Sequence, residues 1–126
     1  MSERVLSTRE LNRALLARQL LLERSSLPLT RALERVAGLQ SQYAPSAYIG
    51  LWTRLRDFRR EALSQALEER RVVQGTLMRV TIHLVSARDY PLFTEGIRKS
   101  RREWWLRVQR PPGRGIGHGG GGTPPA

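Results

Sequence analysis

No cysteine occurs in the chain, which excludes disulfides and every thiolate metal site. Histidine is scarce: His83 and His118 stand far apart, so a zinc site built on them is not expected. Lysine is nearly missing, since of the 22 basic residues only Lys99 is not arginine. No apolar run approaches the roughly 20 residues of a membrane-spanning helix. The polar, charged start of the chain lacks the apolar core of a secretion signal. These absences point to a soluble, cytoplasmic protein with no membrane partner, no metal and no cofactor.

What is present is a charge of one sign. The 126 residues carry a net charge of +11 and an isoelectric point near 11.6, which calls for an anionic partner, either nucleic acid or an acidic membrane surface. Arginine in place of lysine also follows from a GC-rich coding sequence, so the charge has two sources. Hydrophobic residues make up 40% of the chain and charged residues 26%, a globular balance with enough length for one core.

Periodicity organises the chain into helices, then strands, then a helix. Ser7-Thr8-Arg9-Glu10 is a capping box, and the apolar spacing after it predicts a helix ending near Glu23-Arg24. Ser25-Ser26-Leu27-Pro28 is a turn. Leu29, Leu33, Val36, Ala37 and Gln40 share one face of a second helix, predicted to run from 29 to 40. Pro45 then breaks it. Ser46 is placed to cap a third helix over 47–55 and Asp57 a fourth over 58–70. At Val72 the period changes to that of strands, predicted over 72–78 and 80–85. Ser86-Ala87-Arg88-Asp89 opens a last helix reaching Val108. Beyond it lie seven of the eleven glycines and four of the seven prolines, so residues 109–126 are expected to be a disordered tail. Three packed helices followed by two strands are the elements of a winged helix, here expected over residues 6–108 as a mostly α domain with a small β-hairpin.

Four groups of residues are candidates for function. Gln40 and Gln42 cannot transfer protons near neutral pH, but their amides can bond a water, a base edge or a sugar; helix-end hydrogen bonding is the plainer use. Arg54, Arg56, Arg59 and Arg60 either grip a phosphate strand or balance Glu61, Glu68 and Glu69. His83 either bonds a phosphate or is a satisfied structural histidine. Trp104 and Trp105, beside Arg101 and Arg102, either face DNA or await a protein partner.

Three stretches taken together resemble the AlkZ-like winged-helix DNA-binding proteins. They are Gly38-Leu39-Gln40-Ser41-Gln42, Tyr48-Ile49-Gly50-Leu51-Trp52-Thr53-Arg54-Leu55, and Leu77-Met78-Arg79-Val80-Thr81-Ile82-His83-Leu84-Val85 with Asp89 behind it. The resemblance covers about residues 6–108. It implies tandem winged-helix units around a concave surface for double-stranded DNA, with Arg79 and His83 of the third stretch among the DNA contacts. Characterised members of the family are glycosylases that excise alkylated bases and unhook interstrand crosslinks. Their signature is glutamine, an aliphatic residue, glutamine, which Gln40 and Gln42 match. The implied reaction is hydrolysis of an N-glycosidic bond, the amides holding water near C1′ of an oxocarbenium-like sugar. Ser41 stands where those enzymes have an aliphatic residue, and Val80 where a glycine is usual. Family proteins are several times longer, so the resemblance also implies an N-terminal portion whose further modules would cover Trp104 and Trp105. Such a portion is expected to be a DNA-binding or protein-interaction module rather than an efficient enzyme.

Overall fold

The computed structural model describes residues 4–109, and the tail expectation for 110–126 lies outside them. In chain order the elements are α1 (Thr8–Arg18), α2 (Leu29–Arg35), β1 (Leu39–Gln40), α3 (Ala44–Trp52), α4 (Arg60–Glu68), β2 (Val72–Thr76), β3 (Ile82–Ser86) and α5 (Tyr90–Val108). The strands form one antiparallel sheet in the order β1-β3-β2. The run α2-β1-α3-α4-β2-β3 is a winged helix, in which β2 and β3 form the wing.

The first helix starts as its sequence predicts. Ser7 Oγ accepts from the Glu10 amide at 3.3 Å, and Glu10 accepts from the Ser7 amide at 2.9 Å. Four helices stop earlier than their periodicity suggests, and α1, α2 and α4 do so for one reason. Leu20, Ala37 and Arg70 take left-handed φ values of 56°, 58° and 57°. Each is followed by an amide that reaches back five residues: Leu21 to Leu16, Gly38 to Leu33 and Arg71 to Ala66. This is the Schellman ending, which normally carries glycine at the left-handed position. None of the three positions is glycine, and only the end of α2 has a local stop signal, Gly38 with φ 85° beside Ala37.

Shortening α2 releases residues 39–40 as a strand, so Gln40 sits on a sheet and not at a helix end. Pro45 does not precede α3 but lies in its first turn, where its missing N–H has no intrahelical partner to lose. Neither Ser46 nor Asp57 caps a helix; α3 and α4 begin at Tyr43 and Arg59 without a side-chain cap.

The core lies between the helical trio and one face of the sheet. Leu33, Leu51, Leu63 and Ala66 are fully buried against Leu39, Val72 and Leu84. Each such leucine contributes about 1.5–3 kcal/mol relative to an exposed one. By contrast, α1 and α5 bury no residue. Two backbone bonds, Ser25 N–H to Arg54 O and Arg56 N–H to Ser25 O, tie the segment after α1 to the end of α3.

Candidate nucleic-acid interface

The pleat of β1 explains the glutamine pair. Side chains alternate across a strand, and here Leu39 and Ser41 are buried while Gln40 and Gln42 are exposed. The two amides therefore share one face, and the residue between them belongs to the core. An aliphatic residue would fill that inner position. Ser41, 1% exposed, is accommodated because Gln74 Nε2 donates to its Oγ at 2.9 Å. Gln74 opposes Leu84 on the core face of the wing. Its role is not marked by any motif; a lone amide in the strand pattern Val72-Gln74-Thr76 is the one signal the sequence offers.

The two glutamines differ in their partners. Ser41 N–H donates to Ile82 O at 2.8 Å, half of the next ladder pair. The other half never forms, because Ile82 N–H donates to the Gln42 side-chain oxygen at 3.0 Å. That bond settles the amide orientation: Oε1 faces Ile82 and the NH₂ group is left outward. The Gln40 side chain makes no hydrogen bond among the described residues.

His83 lies directly across from Gln40 on β3, and Gly75 of β2 lies across from His83. Antiparallel partners project from the same face, so Gln40, His83 and Gly75 form one row, roughly 10 Å wide at the usual strand spacing. Tyr90 of α5 covers Gly75; a Cβ there would sit 3.2 Å from its ring. The glutamine pair and α5 thus occupy the same side of the sheet, away from the helical core. His83 is 4% exposed, and its Nδ1 lies 2.9 Å from Thr81 O. A carbonyl only accepts, so Nδ1 carries a proton and Nε2 is the acceptor in the neutral ring.

The wing turns over residues 77–81 through a single 3₁₀ turn, Met78–Val80. Arg79 and Val80 both have left-handed φ, 53° and 59°. Arg79 is exposed at this tip. With Val80 it lines an open groove of about 320 Å³ shared with Arg101 and Arg107 of α5.

The arginines at 54, 56, 59 and 60 do not form one strip. Arg54 donates from Nε to Gln19 O at 2.9 Å and from Nη1 to Gly50 O at 2.8 Å. Burial pulls its pKa down. Arg56 donates to Arg24 O at 2.9 Å. The Arg60 guanidinium stands 5.7 Å from the Tyr48 ring, and Arg59 is exposed beside it. The first two tie α1 and its following turn to α3. Downstream, the open surface of α4 carries Glu61, Gln65 and Glu68, with Glu69 at its end. Trp104 and Trp105 are 41% and 57% exposed. Among the described residues no group of three or more His, Asp or Glu side chains is arranged to hold a metal, and no helix is long and apolar enough to cross a membrane.

The helical trio, three-stranded sheet and hairpin wing define a winged-helix protein. The family model described as DNA glycosylase AlkZ-like matches residues 33–118, and the chain belongs to that AlkZ-like family. Among solved structures it is similar to the Streptomyces sahachiroi DNA glycosylase AlkZ, at 24% identity and a TM-score of 0.51 over 56% of this chain. The likeness extends over 19% of that chain's length. No curated protein matches it.

Proposed function

We propose that this chain is a duplex-DNA-binding module that meets DNA with the sheet side carrying Gln40 and Gln42, the wing tip and the basic flank of α5, and that it does not excise bases efficiently by itself. The sign of the surface charge carries this reading. In a winged helix the helix before the wing is the usual entrant to the major groove, but α4 exposes Glu61 and Glu68, with Glu69 at its end, between the arginines that flank it, and these carboxylates disfavour phosphates. Arg79 at the wing tip, with Arg101 and Arg107 beyond it, outnumbers the one carboxylate of that groove, Glu103, and offers a net positive charge. These lie with the glutamine pair on the same side of the sheet.

Weak turnover at most is expected from Gln42. Its oxygen already accepts from Ile82 N–H, which fixes the amide and leaves a single lone pair for a nucleophilic water. Gln40 alone remains free, and neither amide can move a proton. The outward NH₂ of Gln42 and the free Gln40 amide remain suited to acceptors on DNA.

Fluorescence anisotropy with a labelled duplex, repeated over a range of salt, tests binding. Affinity should fall with a log–log slope of about 0.9 per phosphate neutralised; no binding at low salt would overturn the reading. Incubation with duplex containing N7-alkylguanine should yield few or no abasic sites. Efficient excision, lost in Gln40→Ala, would instead make the chain a glycosylase.

A further inference from the structure

The helix α3 is apolar on two sides. Ala47 and Leu51 face the core, while Ile49 and Trp52 remain 58% and 54% exposed. Pro45, Tyr48, Ile49 and Trp52 stand at i, i+3, i+4 and i+7 and so form one outward stripe. With Phe58 and Arg60 they line an open groove of about 660 Å³ that contains no acidic side chain. Two guanidinium groups stack on its rings. Arg24 lies 4.4 Å from the Trp52 ring centre and Arg60 5.7 Å from that of Tyr48. Neither arginine pairs with a carboxylate among the described residues, so both positive charges stand unneutralised beside the apolar floor.

We infer that this groove binds an unpaired segment of DNA, with bases stacked on Trp52 and Tyr48 and the connecting phosphates held by Arg24 and Arg60. The inference rests on the DNA-binding reading but names a different surface and a different form of DNA. Ring faces and guanidinium planes match the π-face of a nucleobase. A duplex hides those faces in its stack and cannot use them. The carboxylates of an acidic peptide would pair with the guanidinium groups but have no planar face for the exposed indole, which favours a nucleotide. Arg24 covers one face of the Trp52 indole, which leaves the other for a base.

The test uses the full chain carrying Trp104→Phe and Trp105→Phe, so that Trp52 is the single tryptophan. The probes are a short oligothymidylate, an abasic deoxyribose-phosphate oligomer of equal charge, and a duplex. Oligothymidylate should quench Trp52 fluorescence and bind about tenfold more tightly than the abasic oligomer, the size expected of base stacking. Arg24→Gln and Ile49→Glu, both at exposed positions, should each weaken oligothymidylate binding while duplex affinity and the thermal midpoint hold. Equal binding of the abasic oligomer, or displacement of oligothymidylate by an equimolar acidic peptide, would overturn the inference. Duplex binding without oligothymidylate binding defeats this inference alone. Oligothymidylate binding without duplex binding defeats the duplex reading and leaves this groove standing.

Discussion

Gln42 is anchored by the backbone and Gln40 is free, so the two glutamines should respond differently to the same substitution. Gln42→Ala strips Ile82 N–H of its partner at the sheet edge and should lower stability by about 0.5–1.5 kcal/mol, measured as a shift in the urea midpoint. Gln40→Ala should leave that midpoint unchanged, and a reversed pattern would contradict the assigned partners. Val80 shows the opposite situation, a residue opposed to its own backbone. Its φ of 59° forces a β-branched side chain into the left-handed region, which costs roughly 1–2 kcal/mol for a residue with a Cβ. Glycine avoids most of that penalty at the expense of some chain entropy. Val80→Gly should therefore stabilise the protein by about 1 kcal/mol and raise the melting temperature by roughly 4–8 °C. A lower melting temperature would show that the valine packs too well at the wing to be lost.

At the scale of elements, α1 is the part held by the fewest contacts. It buries no residue, and Arg54 links its end at Gln19 to α3. Removing that guanidinium in Arg54→Ala should cost about 2 kcal/mol, the range for hydrogen bonds to a charged group, and should speed amide exchange in α1 more than in α4. Lysine should not restore it, because a point charge cannot span the two carbonyls as the planar fork does. The other end of α1 depends on pH. Hydrogen bonds from the Ser7 amide and hydroxyl, and then from Arg4, hold the Glu10 carboxyl below its ordinary value of 4.5. A carboxylate with a depressed folded pKa adds stability that is present above its unfolded pKa and lost as pH falls through the folded one. The first turn of α1 should thus loosen below about pH 4.5, seen as faster exchange of the Glu10 and Leu11 amides in acid. Glu10→Gln should remove most of that dependence.

The whole molecule is a basic protein whose charge is not spread evenly. Acidic residues gather on α4, whereas the wing tip and α5 are rich in arginine. Charge reversal should therefore be directional. Arg79→Glu and Arg101→Glu should weaken duplex binding and flatten its salt dependence by about one unit of slope per contact. Glu68→Gln on α4 should change affinity little. If Glu68→Gln had the larger effect, α4 would be the element that enters the groove. The same map separates the duplex surface, with Arg79, Arg101 and Arg107, from the α3 groove, where Arg24 and Arg60 stack on aromatic rings.

The order of helices and strands, the capping box at Ser7 and the wing were legible in the sequence, because apolar period and β-branched runs act over neighbouring residues. The family resemblance rested on the same local blocks. Helix ends were not legible at Leu20 and Arg70, where left-handed backbone is held without the glycine that would announce it, and at Ala37 the signal is one residue late, in Gly38. From that followed the strand nature of Gln40, since a two-residue strand has no periodicity of its own and exists only through its partners on β3. Sequence alone thus determined which residues could act and limited Gln40 and Gln42 to hydrogen bonding, because composition and amide chemistry are local properties. Only the tertiary structure decided that the pair shares a sheet face with His83, that Gln42 is committed to Ile82, and that the clustered arginines serve different surfaces. Those outcomes depend on contacts between residues tens of positions apart, which no window of sequence contains.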